Sequence, residues 1–148
     1  MNGSLLATAA LAGLLAAAPQ RSTAADQVLE FKLVTRAIEV KAFDAKNIEG
    51  QSVGVMKAHG VAYFKDGRVA SKDFTSSWDH HKGAGPFCGY ITYTFDDGST
   101  MVARVAAVSL GGGQFRGDYT VLSGSGAFAG AKGMGSFESM PAKLPDAS

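Results

Sequence analysis

Gly124-Ser125-Gly126-Ala127-Phe128-Ala129-Gly130-Ala131-Lys132-Gly133-Met134-Gly135 is the stretch that decides how the rest of the chain is read. Five glycines recur around two apolar side chains, Phe128 and Met134. Glycine reaches backbone angles closed to other residues but costs entropy to order, so such a run is either a flexible linker or a closely specified set of bends. A strand-like run, Tyr119 to Leu122, precedes it, and another, Ser136 to Met140, follows. A linker has no use for a phenylalanine at its centre. The stretch reads as a corner in an all-β domain, with a single helical turn around Ala127 to Ala131.

Working outward, the chain alternates between strands and turns. Lys65-Asp66-Gly67-Arg68 is a hairpin signal in which Asp-Gly predicts a tight type I′ turn, and Asp96-Asp97-Gly98-Ser99 is a second hairpin signal. Gly111-Gly112-Gly113 turns the chain again, and Lys82-Gly83-Ala84-Gly85-Pro86 breaks a strand pattern. Between Val28 and Val40 the apolar parity changes, from Phe31 and Leu33 to Ile38 and Val40, which predicts a bulge or bend. Val53, Val55, Val61 and Tyr63 share one parity, and Met56, Ala58, Ala62 and Phe64 the other. A strand apolar on both sides is covered on both sides, or lies between a core and a partner subunit. Phe87, Ile91, Tyr93 and Phe95 oppose Cys88, Tyr90, Thr92 and Thr94 in the same way. Strands in this number, joined by short connections, predict a closed antiparallel β-barrel of about eight strands.

The ends of the chain read differently. Ser4 to Ala18 is an apolar run of Leu and Ala, followed by Pro19-Gln20-Arg21 and the small residues Ser22-Thr23-Ala24-Ala25. This is the pattern of a cleavable secretory signal, residues 1–25, and it places the protein in a secreted or periplasmic compartment. The run is too short to predict a stable membrane span. The barrel is expected over residues 26–140, with residues 141–148 as a disordered tail. The chain of 148 residues carries a net charge of +1, and Arg21 is the leader's one charged side chain, so the remainder is formally neutral. No basic patch stands out, which argues against nucleic acid as a partner. Cys88 is the sole cysteine, so no intrachain disulfide forms; it is buried, paired with another chain, or used.

The segment from Tyr90 through Thr100, with Asp97-Gly98-Ser99-Thr100, and then Gly124-Ser125-Gly126-x-Phe128-x-Gly130-Ala131-Lys132-Gly133, resembles the allene oxide cyclase-like and dirigent barrel superfamily. These families share a Gly-Thr-Gly-x-Phe-x-x-Ala-Arg-Gly type segment; here Ser125 replaces the threonine and Lys132 the arginine. The resemblance covers roughly the second half of the domain. It implies an eight-stranded barrel, often trimeric, whose lumen holds a hydrophobic small molecule, and a chemistry without a redox cofactor. Lys132 keeps a positive charge at the arginine position and is carried over as a ligand-binding candidate. Ala127 stands where dirigent proteins often place an acidic residue, which weakens radical coupling.

The run Trp78-Asp79-His80-His81-Lys82 carries the most chemistry. In a strand, Asp79 and His81 face one side and Trp78 and His80 the other. Asp79 beside His81 orients an imidazole for proton transfer, so both are candidate acid–base residues; an ordinary exposed Asp–His contact is the competing reading. Arg104 lies in the apolar run Met101 to Ala106 and is a candidate charge stabiliser, with its face undetermined. Tyr90 is a candidate hydroxyl donor. His59, Trp78 and Cys88 are candidate ligand-binding residues lining the lumen, with a hydrogen-bonded core histidine the plainer account of His59. No metal-ligand spacing occurs, and no cofactor is expected. Two functions are consistent with these residues. One is an exported barrel that binds, or isomerises without a cofactor, a hydrophobic molecule in its lumen. The other is a non-catalytic barrel that forms a homo-trimer or homo-dimer or binds a partner protein.

Overall fold

Alternating side chains build one seven-stranded antiparallel sheet in the computed structural model, which describes residues 27–139. The strands are β1 (Phe31–Asp44), β2 (Gln51–Phe64), β3 (Val69–His81), β4 (Ala84–Phe95), β5 (Thr100–Gly111), β6 (Gln114–Ser125) and β7 (Gly133–Ser139). Each pairs with its sequence neighbours, in the order β1 to β7. The all-β expectation holds. The closed eight-stranded barrel does not: there are seven strands among the described residues, and β1 and β7 stand at the two ends of the sheet order without pairing to each other. The expected leader and tail lie outside the described residues. No helix among these residues is long and apolar enough to cross a membrane.

The turns explain the meander. Gly67 and Gly98 take positive φ, of 92° and 79°, while Asp66 and Asp97 do not. The turns are therefore not type I′. Each is a three-residue loop in which the glycine N–H returns to the carbonyl of Phe64 or Phe95, closing a type I turn with a bulge at glycine. The aspartates serve differently, accepting from the backbone N–H of Arg68 at 3.1 Å and Ser99 at 2.8 Å. These turns mark the upper rim of the sheet. The turns at Lys82–Gly83 and Gly112–Gly113 mark the lower rim. The parity change in β1 is a bulge, as expected: the β1–β2 register shifts between Ala37 and Glu39.

The sheet curls, and its concave face holds the core. Phe64, Phe74, Ile91, Tyr93, Phe95, Met101, Val105 and Tyr119 are buried there. At the upper rim the curl is tight enough for Phe31 of β1 to meet Tyr93 at 5.6 Å and Tyr119 of β6 at 6.1 Å between ring centroids. The glycine stretch is the expected corner. A 3-10 turn, Gly126–Phe128, delivers Phe128 onto Phe95, with ring centroids 4.5 Å apart. Gly124 lies against the Phe128 backbone and side chain, leaving no room for a larger residue. Toward the lower rim the cover thins: Val40, opposite Met56 in the register, is 56% exposed.

Candidate functional site

The outer face receives most of the residues singled out from sequence. Asp79, His81, Cys88, Tyr90, Arg104 and His59 are all exposed. Their parity opposes that of the buried Phe74, Ile91, Tyr93 and Val105, so they stand on the convex side and do not line an interior. The reason is simple. Burial selects the aromatic parity of each strand, and the hydroxyl-rich parity of β4 is left to solvent.

These residues do not form one cluster. Tyr90 and Arg104 are cross-strand neighbours on β4 and β5. Cys88 Sγ lies 3.7 Å from Ser77 Oγ. Asp79 accepts a hydrogen bond from the Gln51 side chain. His59 Nδ1 is 2.6 Å from Asp73 Oδ1, an exposed Asp–His pair other than the Asp79–His81 pair expected. Lys132 donates to the carbonyl of Leu122, the residue extruded by a register shift in β6, and so ties down the corner. Trp78 alone of the set faces inward, half-buried, with its indole across Gly54 and its ring centroid 6.0 Å from that of His80.

The interior holds polar groups that sequence reading passed over. On the concave parity of β3 stand Lys72, Phe74, Ser76, Trp78 and His80. Lys72 is only 5% exposed, and its Nζ sits 4.7 Å from the centroid of the Phe74 ring. Burial pushes its pKa down to about 8. Its cross-strand partners are Gly60 on β2 and Tyr93 on β4, so neither neighbouring strand offers it a carboxylate. Tyr93 is 1% exposed and its Oη has no hydrogen-bond partner. Burial, and then the neighbouring Tyr119 phenol, raise its pKa, so it stays a neutral O–H donor. Burial raises Tyr119 likewise. Nearer the lower rim, His80 Nε2 is buried without a partner, and desolvation lowers its pKa toward the neutral imidazole. The signal in the sequence was parity: Lys72 shares its side of the strand with Ala70 and Phe74.

The second unusual region is β1. It is fourteen residues long and, among the described residues, pairs with β2 alone and leaves its other edge open. The outer face beside this edge carries exposed apolar side chains at both ends: Phe43, Val53 and Val55 toward the lower rim, with Phe43 at 68%, and Val34 and Tyr63 toward the upper. Phe43 pairs with Val53 across the strands, and Lys41 with Val55. Between the two ends runs a charged band of Arg36, His59, Glu39 and Lys57, in which Glu39 meets Lys41 at 3.2 Å and Lys57 at 3.0 Å. An open groove of about 690 Å³ lies at β5–β7, with Arg116, Asp118 and Glu138 among its lining; it is not an enclosed lumen.

Comparison with protein-family models, with curated proteins and with solved structures finds no match to the chain. The allene oxide cyclase-like resemblance therefore rests on the residues quoted for it.

Proposed function

We propose that this chain is an exported, non-catalytic binding domain that works by assembly, with a second copy of itself covering the β1 edge and the exposed apolar residues of the β1–β2 outer face. The carrying observation is the fourteen-residue open edge flanked by exposed Val34, Phe43, Val53, Val55 and Tyr63. An open edge offers a row of unpaired N–H and C=O groups, and apolar surface beside it supplies the driving force for a specific contact. The open edge of β7 is half as long, seven residues, so pairing it with β1 would leave much of β1 bare. An isologous β1–β1 contact, which closes as a homo-dimer, suits the longer strand better than a ring. The export signal at Ser4 to Ala18 supports a site of action in the secreted or periplasmic space.

The lumen-based isomerase has less support, because its acid–base and charge candidates Asp79, His81, Tyr90 and Arg104 are spread over the outer face. Sedimentation equilibrium of the purified protein tests the assembly reading. The expected mass is that of a dimer, and Phe43→Lys combined with Val55→Lys is expected to yield a folded monomer. A monomeric parent protein at tens of micromolar, or a double variant that stays dimeric, refutes it.

A further inference from the structure

The concave interior has the makings of an anion receptor, independent of any assembly at β1. Lys72 projects into it from the fourth position of β3, nineteen-twentieths buried, with an aromatic face as its one close contact. A buried cation is costly unless an anion accompanies it. The titratable groups on the concave parity are Tyr93 on β4, Tyr119 on β6, His80 on β3 and, at the lower rim, Asp44 on β1. Asp44 is the one acid among them, and it stands eight rows along β2 from the row of Lys72. On the rows beside Lys72, β2 presents Ala58, Gly60 and Ala62, and β5 presents Met101 and Ala103. Tyr93 Oη is a second buried polar group, on the residue directly across from Lys72, with the Tyr119 phenol as its neighbour and no well-formed hydrogen bond of its own.

We infer that Lys72, with Tyr93 as a neutral hydroxyl donor, anchors the anionic group of an apolar small molecule, such as an aromatic carboxylate, inside the curled sheet. The ligand supplies the negative charge that the chain itself leaves out. Rings around the site (Phe31, Phe74, Tyr119) give an apolar body its contacts, and the low dielectric they create strengthens the ion pair. The thinly covered lower rim, where Val40 is 56% exposed and Met56 only half-buried, provides the way in. A carboxylate in this position restores the ammonium to its charged form, so ligand uptake carries a proton with it above the depressed pKa of Lys72.

The experiment uses two probes of one shape, 2-naphthoate and 2-naphthylmethanol, titrated into the purified protein and followed by fluorescence. The expected result is saturable binding of the carboxylate, at least tenfold tighter than the alcohol at pH 7. The preference is expected to collapse by pH 10, as Lys72 loses its proton. Lys72→Met should remove the preference for the carboxylate over the alcohol, and Lys72→Arg should hold it at pH 10. Tyr93→Phe, which removes only the hydroxyl, should weaken the carboxylate several-fold. The parent protein alone makes the proposal falsifiable, whatever the variants do to folding. Equal affinity for the two probes, a pH-independent preference, or no saturable uptake of the carboxylate overturns it.

Discussion

Arg68 and Lys72 lie four residues apart and serve the same interior, one at its upper rim and the other in its depth. Arg68 stands over three rings, with its guanidinium carbon 5.7 Å from the centroid of Phe64, 5.5 Å from Phe95 and 5.2 Å from Phe128. It also has a carboxylate: Asp66 Oδ2 accepts from its Nε at 2.9 Å and from its Nη2 at 2.5 Å. Lys72 has one ring and no carboxylate. The rim cation therefore closes the aromatic plug at little cost, reaching both rings and water. The deep cation has the face of Phe74 and no anion to offset its desolvation. The contrast separates a region built to be stable from one that gives up stability, and a group that gives up stability is where a ligand has most to offer.

The largest effect is expected from opening the rim. Phe95 is buried and touches Phe64 at 5.2 Å and Phe128 at 4.5 Å. Phe95→Ala should destabilise the protein by about 3–5 kcal/mol in urea unfolding, through lost transfer energy and the cavity left between the two remaining rings. Phe87→Ala should cost clearly less, because Phe87 is half-buried near the lower rim. Equal losses at the two positions would erase the distinction between a sealed end and an open one.

The next effect has the opposite sign. Lys72→Met removes a desolvated charge and keeps the volume, and it should stabilise the protein at pH 7. The ordinary lysine pKa is 10.5 and burial brings this one to about 8. That difference corresponds to stabilisation of the order of 3 kcal/mol. The sign follows from proton counting. Between pH 8 and 10.5 the unfolded chain holds a proton at Lys72 that the folded chain has released, so stability rises with pH through that window. The advantage of Lys72→Met should therefore be fullest below pH 8 and fade toward pH 10.5. A variant less stable than its parent at pH 7, or a pH-independent difference, would mean that Lys72 is satisfied where it stands.

Much of the upper region was legible in the sequence and little of the deep one. Hairpins at Asp66-Gly67 and Asp97-Gly98, the bulge in β1, and the aromatic parity of β4 all follow from local chemistry. So does the corner around Phe128, because a phenylalanine among glycines has to be buried against something. Whether the sheet closes depends on two strands far apart in sequence, β1 and β7, and no local pattern reports on that. The expectation of a lumen draws the polar parity of β4, Cys88 and Tyr90, inward, although Phe87, Ile91 and Tyr93 have the stronger claim on the same strand; the face of Arg104, between apolar neighbours on both parities, stays open in the sequence. Lys72 was missed for the converse reason. A lysine flanked by Ser71 and Asp73 reads as surface, and only its shared parity with Ala70 and Phe74 shows otherwise. The interleaved residues on β3 put chemistry and core on one face, and a rule that sorts polar from apolar cannot find such a site.

The smallest effect tests whether the carboxylate or the exposure of Arg68 makes the rim inexpensive. Asp66→Asn keeps the shape of the turn and an oxygen able to accept from the Arg68 N–H, and removes only the charge. The side-chain hydrogen bond from Arg68, and then its backbone N–H, hold the Asp66 carboxyl below the usual aspartate value of 3.8. A depressed carboxylate pKa contributes stability that is present above the ordinary value and is lost as pH falls through the folded one. Asp66 is exposed, so solvent screens much of this. The variant should lower the melting temperature by about one or two degrees at pH 7 and match its parent once the pH falls well below 3.8. A loss that small would show that Arg68, half in water, tolerates life without a counter-ion. Removing the Asp66 charge leaves Arg68, like Lys72, with aromatic faces and no carboxylate, at the rim instead of in the depth. A loss rivalling that of Phe95→Ala would instead make the ion pair the keystone of the rim. It would also mean that the two cations differ by partner and not by burial, and the case for an anion arriving at Lys72 would then rest on pairing alone.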